Sequence, residues 1–212
     1  MTSPGHRATS PVILLLAAGE GSRYGGIKQL VDIEGEPMVR RVARTVLETT
    51  LSVIVVTGAH AERVEATLND LPLRIVRCED WQRGMGQSLA TGVRHLVSIF
   101  PDASATLICL ADQPLLTAAS IQPLLQRHAQ VPDRLLATEH HGRSGPPVLF
   151  PHDCFEELMA QSGPRGARAI LEDHATRVEA FASEETLDVD TPEDLQRVQQ
   201  WLANVNLYTK AH

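Results

Sequence analysis

The sequence predicts an α/β protein, a three-layer α/β/α Rossmann-like arrangement around a mostly parallel sheet. Short apolar runs alternate with amphipathic stretches along the chain, the pattern of repeated strand–helix units. Several runs, VILLLA at 12–17 and ATLICLA at 105–111 above all, are apolar without alternation. Such strands are covered on both faces of a parallel sheet. The hydrophobic fraction is 43% and the aromatic fraction only 4%, so aliphatic side chains must fill the core.

The elements follow in order. After 12–17, strands are expected at 52–57, 73–77, 105–111, 134–138, 147–150 and 177–181. Helices are expected between them. The segment 37–49 places Met38, Val39, Val42, Val46 and Leu47 on one face, the 3.6-residue period of an amphipathic helix. Further helices are expected at 61–68, 87–100, 118–128, 154–161 and 165–173. The last begins at TPED, with Thr191 as cap, Pro192 at the first helical position and Asp194 as the acid of a capping box. EHHGRSGPP at 139–147 is rich in Gly and Pro and reads as a loop beside the site. Residues 1–11, MTSPGHRATSP, read as a flexible lead-in, and 12–205 as one domain.

Composition excludes several classes. A net charge of -7 argues against nucleic acid as partner, although a local cation cluster can still hold a small anion. Three cysteines, Cys78, Cys109 and Cys154, form no CxxC pair, so neither a disulfide framework nor a zinc ribbon is expected. Cys109 reads as a small core residue. No apolar run approaches the ~18 residues of a membrane span, and the N-terminus lacks a signal-peptide core. A cytoplasmic protein without membrane contact is expected.

In a parallel sheet, ligands bind beyond the carboxyl ends of the strands. Three segments lie there: AAGEGSRYGGIK after the first strand, ADQPLL after the fourth, and the loop before the helix near Gln87. The first holds Gly19, Gly21, Gly25 and Gly26 together with Arg23 and Lys28. It fails the dinucleotide fingerprint, since Gly25 comes one residue late and the second strand ends in Thr57-Gly58 without a carboxylate. It fails the P-loop, since Ile27 stands where the lysine belongs. A wide glycine loop whose amides approach phosphates, with Arg23 as clamp and Lys28 as point charge, fits a nucleoside triphosphate better. The alternative is a tight turn with two solvated cations.

LAAGEGSRYGGIKQL at 16–30 resembles the N-terminal signature of the GT-A-like nucleotidyltransferases. GMGQSLATG at 84–92, LADQPLL at 110–116, GPPVLFP at 145–151, GARAIL at 166–171 and LDVDTPEDL at 187–195 resemble one branch of them. That branch is the molybdenum cofactor cytidylyltransferases and their MobA-like relatives. The resemblance spans nearly the whole chain and implies the GT-A-like form of the α/β/α fold. It also implies nucleotidyl transfer, in which an acceptor phosphate attacks the α-phosphorus of a nucleoside triphosphate and pyrophosphate leaves. It places Leu16, Ala17, Ala18, Gly19, Gly21, Arg23, Lys28, Asp80, Gln87, Ser88 and Asp112 around the nucleotide, with Arg23 and Lys28 as the catalytic cations.

Magnesium is the implied cofactor, a hard cation that prefers carboxylates. Asp112, directly after an apolar strand, and Asp190, in LDVDTP, are its expected ligands, with Asp188 the second choice beside Asp190. For each the ordinary reading is a turn or cap residue. Ser88 can equally be a helix cap. His140 and His141 are adjacent but lack a third ligand at zinc spacing, so a solvated loop is the simpler reading.

The loop reads AAG, and IKQL lacks the Asp-Lys pair of related guanylyltransferases, which resembles the CTP-using branch. The implied substrates are CTP and a phosphate-bearing acceptor, molybdopterin, with transient contact to a molybdoenzyme or its chaperone. Two departures fall on the acceptor side: Gly145-Pro146-Pro147 where the family has Gly-His-Pro, and Gly163-Pro164 where it has Gly-Asp. Another triphosphate or acceptor therefore stays open. So does an NAD(P)H-dependent oxidoreductase of the nicotine blue reductase type, an activity ascribed to some proteins of this branch. A non-catalytic molybdopterin carrier is the third alternative.

Overall fold

The computed structural model describes residues 10–140, 142–182 and 187–210. Residues 1–9, most of the expected lead-in, and His141 lie outside the described residues. The elements are β1 (Val12–Leu16), β2 (Asp32–Ile33), β3 (Glu36–Pro37), α1 (Met38–Leu47), β4 (Ser52–Thr57), α2 (Ala61–Ala66), β5 (Arg74–Arg77) and α3 (Met85–Ile99). They continue with β6 (Ala105–Leu110), α4 (Ala118–Gln130), β7 (Leu135–His140), β8 (Arg143–Pro151), α5 (Phe155–Met159), α6 (Arg168–Asp173), β9 (Val178–Ala182) and α7 (Pro192–Lys210).

Seven strands form one sheet in the order β5-β4-β1-β6-β8-β7-β9. Strands β4, β1 and β6 are parallel neighbours, and β4 and β7 pair in parallel with β5 and β9. Only β8 runs against the others. The expected α/β/α fold with a mostly parallel sheet is therefore the observed one. The unbroken apolar strands have the predicted cause. Val12, Leu14 and Leu16 pack on one face with α3, α5 and α6, while Ile13 and Leu15 pack on the other with α1, α2 and α4. All five side chains of β1 are buried. Burying a side chain of this size is worth about 1.5–3 kcal/mol, so the central strand is firmly anchored and its end is a fixed point for the site.

Two expectations need correction. The segment 139–147 is largely strand: Glu139 faces Ser144, His140 faces Arg143 and Thr138 faces Gly145 across the β7–β8 hairpin. A bulge between Ala137 and Thr138 absorbs the irregularity, and Gly142 supplies the left-handed turn at φ 74°. Helix α3 also begins two residues earlier than expected, at Met85. Strands β2 and β3 form a small hairpin that the sequence did not announce. Its Ile33 joins Met38, Leu115, Val189 and the α7 residues Val198 and Leu202 in a third apolar cluster.

The start of α7 matches its signature. Thr191 donates its amide and hydroxyl to the Asp194 carboxylate, at 2.9 and 2.8 Å, while the Asp194 amide donates to Thr191 Oγ1 at 3.2 Å. These hydrogen bonds, the one from Thr191 first, hold the Asp194 carboxyl below the usual range. Among the described residues no helix is long and apolar enough to cross a membrane.

Candidate active site

The carboxyl ends of β1 and β6 open into a cavity of about 480 Å3. The loop after β1 forms one wall. Gly21 and Gly25 adopt φ of 73° and 78°, a region that favours glycine. A Cβ at Gly21 would also lie 2.7 Å from the Gly26 carbonyl. No backbone amide from Ala18 to Ser22 donates a hydrogen bond to a described group. A run of free N–H groups bent by glycines is a ready anion cradle.

Gln29, which the sequence reading passed over, holds this loop in place. It is 3% exposed. Its Nε2 donates to the Ala17 carbonyl at 3.2 Å and to the Gly19 carbonyl at 2.5 Å. Two carbonyls are thereby tied to one buried side chain, which fixes the course of the loop past the cavity-lining Ala18, Gly19 and Glu20. Replacing Gln29 by Ala is expected to weaken nucleotide binding about tenfold, equivalent to ~1.4 kcal/mol. Isothermal titration with CTP and Mg²⁺ checks this; unchanged affinity would remove Gln29 from the site.

The charged centre joins three distant segments. Lys28 Nζ lies 2.6 Å from Asp112 Oδ2 and 2.9 Å from Asp190 Oδ1. The exposed Arg23 guanidinium reaches Asp190 Oδ2 at 2.9 Å. Asp112 directly follows Ala111, whose amide extends the β1–β6 ladder by bonding the Leu16 carbonyl. Asp190 is brought in by the Val189 amide, which donates to the Asp112 carbonyl at 2.8 Å, and its own amide is held by Asp194. Burial opposes the Lys28 charge, but the charge and hydrogen bond of Asp112, joined by Asp190, prevail and hold its pKa above the usual lysine value.

Asp188 completes the cluster. Burial first, then the Asp112 charge, pushes its pKa up, against a hydrogen bond from Gln113 Nε2 at 2.9 Å. Glu20, in the glycine loop, also lines the cavity, which thus holds two cations, Arg23 and Lys28, against four carboxylates.

These residues suit a hard divalent cation. Asp112 Oδ1 is buried without a hydrogen-bond partner, while Asp112 Oδ2 and Asp190 Oδ1 already converge on one positive charge, the Lys28 ammonium. Among the described residues no group of three or more His, Cys, Asp or Glu forms a ready metal cage. One or two carboxylates completed by substrate phosphates is how magnesium is usually held.

Of the expected nucleotide residues, Leu16, Ala18, Gly19, Arg23, Lys28, Ser88 and Asp112 line the cavity, as do Asp188 and Asp190. Ala17, Gly21, Asp80 and Gln87 do not line it. Ala17 is buried under the loop and Gly21 makes its turn. Asp80 points outward, 3.9 Å from Arg83, and the Gln87 carbonyl accepts from Thr91. Trp81, Gln82, Gly84 and Met85 stand there instead. A tryptophan just before GMG was the available signal. The three cysteines are buried, and burial pushes the Cys109 thiol up to about 12, so none offers a nucleophile.

A family model described as MobA-like NTP transferase domain matches residues 13–178. The purine catabolism protein PucB of Bacillus subtilis is 29% identical over 205 residues, 90% of this chain and 98% of that protein. The nicotine blue oxidoreductase of Paenarthrobacter nicotinovorans is 33% identical over 203 residues, 87% and 94% of the two chains. The crystal structure of Rv0371c from Mycobacterium tuberculosis superposes with a TM-score of 0.77 at 26% identity, covering 91% of this chain and 98% of that one.

Proposed function

The chain belongs to the MobA-like NTP transferase family, a nucleotidyltransferase family, and from that premise we propose that it transfers CMP from CTP to a phosphate-bearing acceptor, molybdopterin, with Mg²⁺ and release of pyrophosphate. The observation that carries the proposal is the convergence of Arg23, Lys28, Asp112 and Asp190 at the carboxyl end of the sheet, beside a loop of free amides. Positioning and charge neutralisation are what a phosphoryl-type transfer asks of a protein.

Asp112 and Asp190 would hold the magnesium, which supplies positive charge and alignment to the phosphates. The free amides of Ala18, Gly19 and Glu20, the loop residues that line the cavity, bind the phosphate oxygens. Lys28 and Arg23, released from the carboxylates, neutralise charge on the α-phosphate and on the departing pyrophosphate. Ser88, in the first turn of α3, lies on the nucleoside side with Trp81. The choice of CTP rests on the AAG and IKQL features of the loop. Molybdopterin rests on the branch resemblance, and the two departures from the branch pattern, Pro146 and Pro164, both line a neighbouring cavity.

The relative named as an oxidoreductase favours a second reading, NAD(P)H-dependent reduction. Against it, β4 ends in Thr57-Gly58. The nearby Glu65 carboxylate is already engaged by the Thr57 hydroxyl and by Arg77 at 2.7 Å, so that acid is not free for a ribose at the end of β4.

Thermal melting with CTP, GTP, ATP, UTP, NADH and NADPH, each with and without Mg²⁺, separates the readings. A ligand at 100 times its dissociation constant adds about 2.7 kcal/mol to the folded state. A Mg²⁺-dependent rise in Tm with CTP is expected. A rise with NADPH that ignores Mg²⁺, and none with any triphosphate, would replace the transferase by the reductase.

A further inference from the structure

Asp112, Asp188 and Asp190 line one cavity, yet among the described residues no three such groups gather around one ion's position. The chain brings them close. In Asp188-Val189-Asp190 the middle side chain is wholly buried in the third apolar cluster, and its amide donates to the Asp112 carbonyl at 2.8 Å. Both flanking aspartates therefore sit beside Asp112. The Lys28 ammonium shows how differently the three behave toward a cation. It lies 2.6 Å from Asp112 and 2.9 Å from Asp190. Asp188, although open to the cavity, is not among its ion-pair partners in the described residues.

Gln113 accounts for the difference. It follows Asp112 in sequence and is 4% exposed. Its Nε2 donates to Asp188 Oδ1 at 2.9 Å and to the Pro146 carbonyl at 3.3 Å, which uses both amide hydrogens. The reverse orientation would set the amide oxygen against a carboxylate and a carbonyl, two acceptors, so the polarity of the bond is fixed. A hydrogen bond to a carboxylate is charge-assisted and among the stronger ones. The backbone of Gln113 is held as well. Its amide donates to the Leu110 carbonyl at 3.3 Å, and its carbonyl accepts from the Leu116 amide at 3.1 Å. Gln113 Oε1 is buried without a partner, an unfavourable state that accompanies the use of both donors on Pro146 and Asp188.

We propose that Gln113 is a positioning residue that holds Asp188 out of the metal site, so that the protein offers a divalent ion two carboxylates, Asp112 and Asp190, and leaves the remaining positions to phosphates. The proposal rests on the metal role given to those two residues under the transferase reading. Magnesium is usually bound by one or two carboxylates together with substrate phosphates. A third carboxylate would turn a site that fills with the nucleotide into one that fills without it. It would also set one more negative charge against the phosphates.

Mn²⁺ binding to the whole protein, read from the free-ion signal in electron paramagnetic resonance, tests this without turnover. Gln113→Met removes the donor and keeps the length. Without nucleotide it is expected to bind Mn²⁺ about tenfold more tightly than the parent, the scale on which outer-shell partners act. Asp188→Asn added to it should return the affinity to the parent's level, and Asp188→Asn alone should change it only slightly. A merely structural glutamine predicts weaker binding on its loss, so tightening that depends on Asp188 separates the two roles. With α,β-methylene-CTP present the gain should shrink, because phosphates then fill the positions that Asp188 would take. If Gln113→Met fails to fold, Gln113→Asn, one methylene short of Asp188, is the second variant, and the same direction is expected. Unchanged or weaker Mn²⁺ binding by the variant that folds, or tightening that survives Asp188→Asn, overturns the proposal alone. A parent that binds no Mn²⁺ with or without the CTP analogue overturns the metal role beneath it, and the proposal with it.

Discussion

Replacing Lys28 by Met is expected to tighten Mn²⁺ binding by the ligand-free protein about tenfold while slowing nucleotidyl transfer ~10²–10³-fold. The opposite signs have one cause. Without nucleotide, the Lys28 ammonium is itself the cation between Asp112 and Asp190, at 2.6 and 2.9 Å, and its side chain is only 12% exposed. A divalent ion must displace it to reach the same oxygens. Methionine keeps the length of the side chain and removes the competitor. It also removes the charge that the phosphates need once nucleotide is bound. The ligand-free variant should melt lower than the parent, because Asp112 then loses its counter-charge beside Asp190, which keeps only the exposed Arg23, and Mn²⁺ should restore more of its stability than it adds to the parent. The free-ion signal of Mn²⁺ in electron paramagnetic resonance reads the affinity directly. Unchanged or weaker Mn²⁺ binding would show that Lys28 does not compete for the site.

That exchange of cations explains which part of the site the sequence could show. The apolar runs at β1 and β6 revealed a parallel sheet, and a strand that ends in Asp112 places a carboxylate at the carboxyl edge. Glycines and two cations after β1 indicated an anion cradle. The meeting of Lys28 with residues 84 and 162 positions away was not legible from spacing. It depends on the Val189 amide finding the Asp112 carbonyl, a contact set by the path of the chain into α7. Gln29 was invisible for a related reason, since its amide matters only after the loop has folded back over Ala17 and Gly19. The hairpin at 139–147 was misread because Gly and Pro normally interrupt strands. Here pairing to β7 and the bulge at Ala137/Thr138 override that preference.

Replacing Asp112 by Asn is expected to abolish Mg²⁺-dependent transfer, a loss of ~10³-fold or more, with the fold intact. The substitution keeps the shape of the side chain and the Val189–Asp112 contact, which uses backbone atoms. Lys28 keeps Asp190 as partner. What disappears is the charge on a carboxylate whose Oδ1 is buried and unpartnered, alone in this among the carboxylates of the described residues, and so the group with most to gain from a cation. An amide binds a hard divalent ion far more weakly than a carboxylate, so the loss should appear in the Mg²⁺ dependence, beyond the modest drop in ligand-free melting expected from weakening the Lys28 pair. Asp190→Asn should act in the same direction but also loosen Arg23, which reaches only that carboxylate among the described residues. A nicotinamide reductase would respond differently, because hydride transfer draws nothing from a magnesium site, and Asp112→Asn would leave its rate nearly unchanged. One variant therefore decides between the two activities: loss of CTP- and Mg²⁺-dependent pyrophosphate release supports the transferase, and full NADPH turnover in the same preparation would refute it.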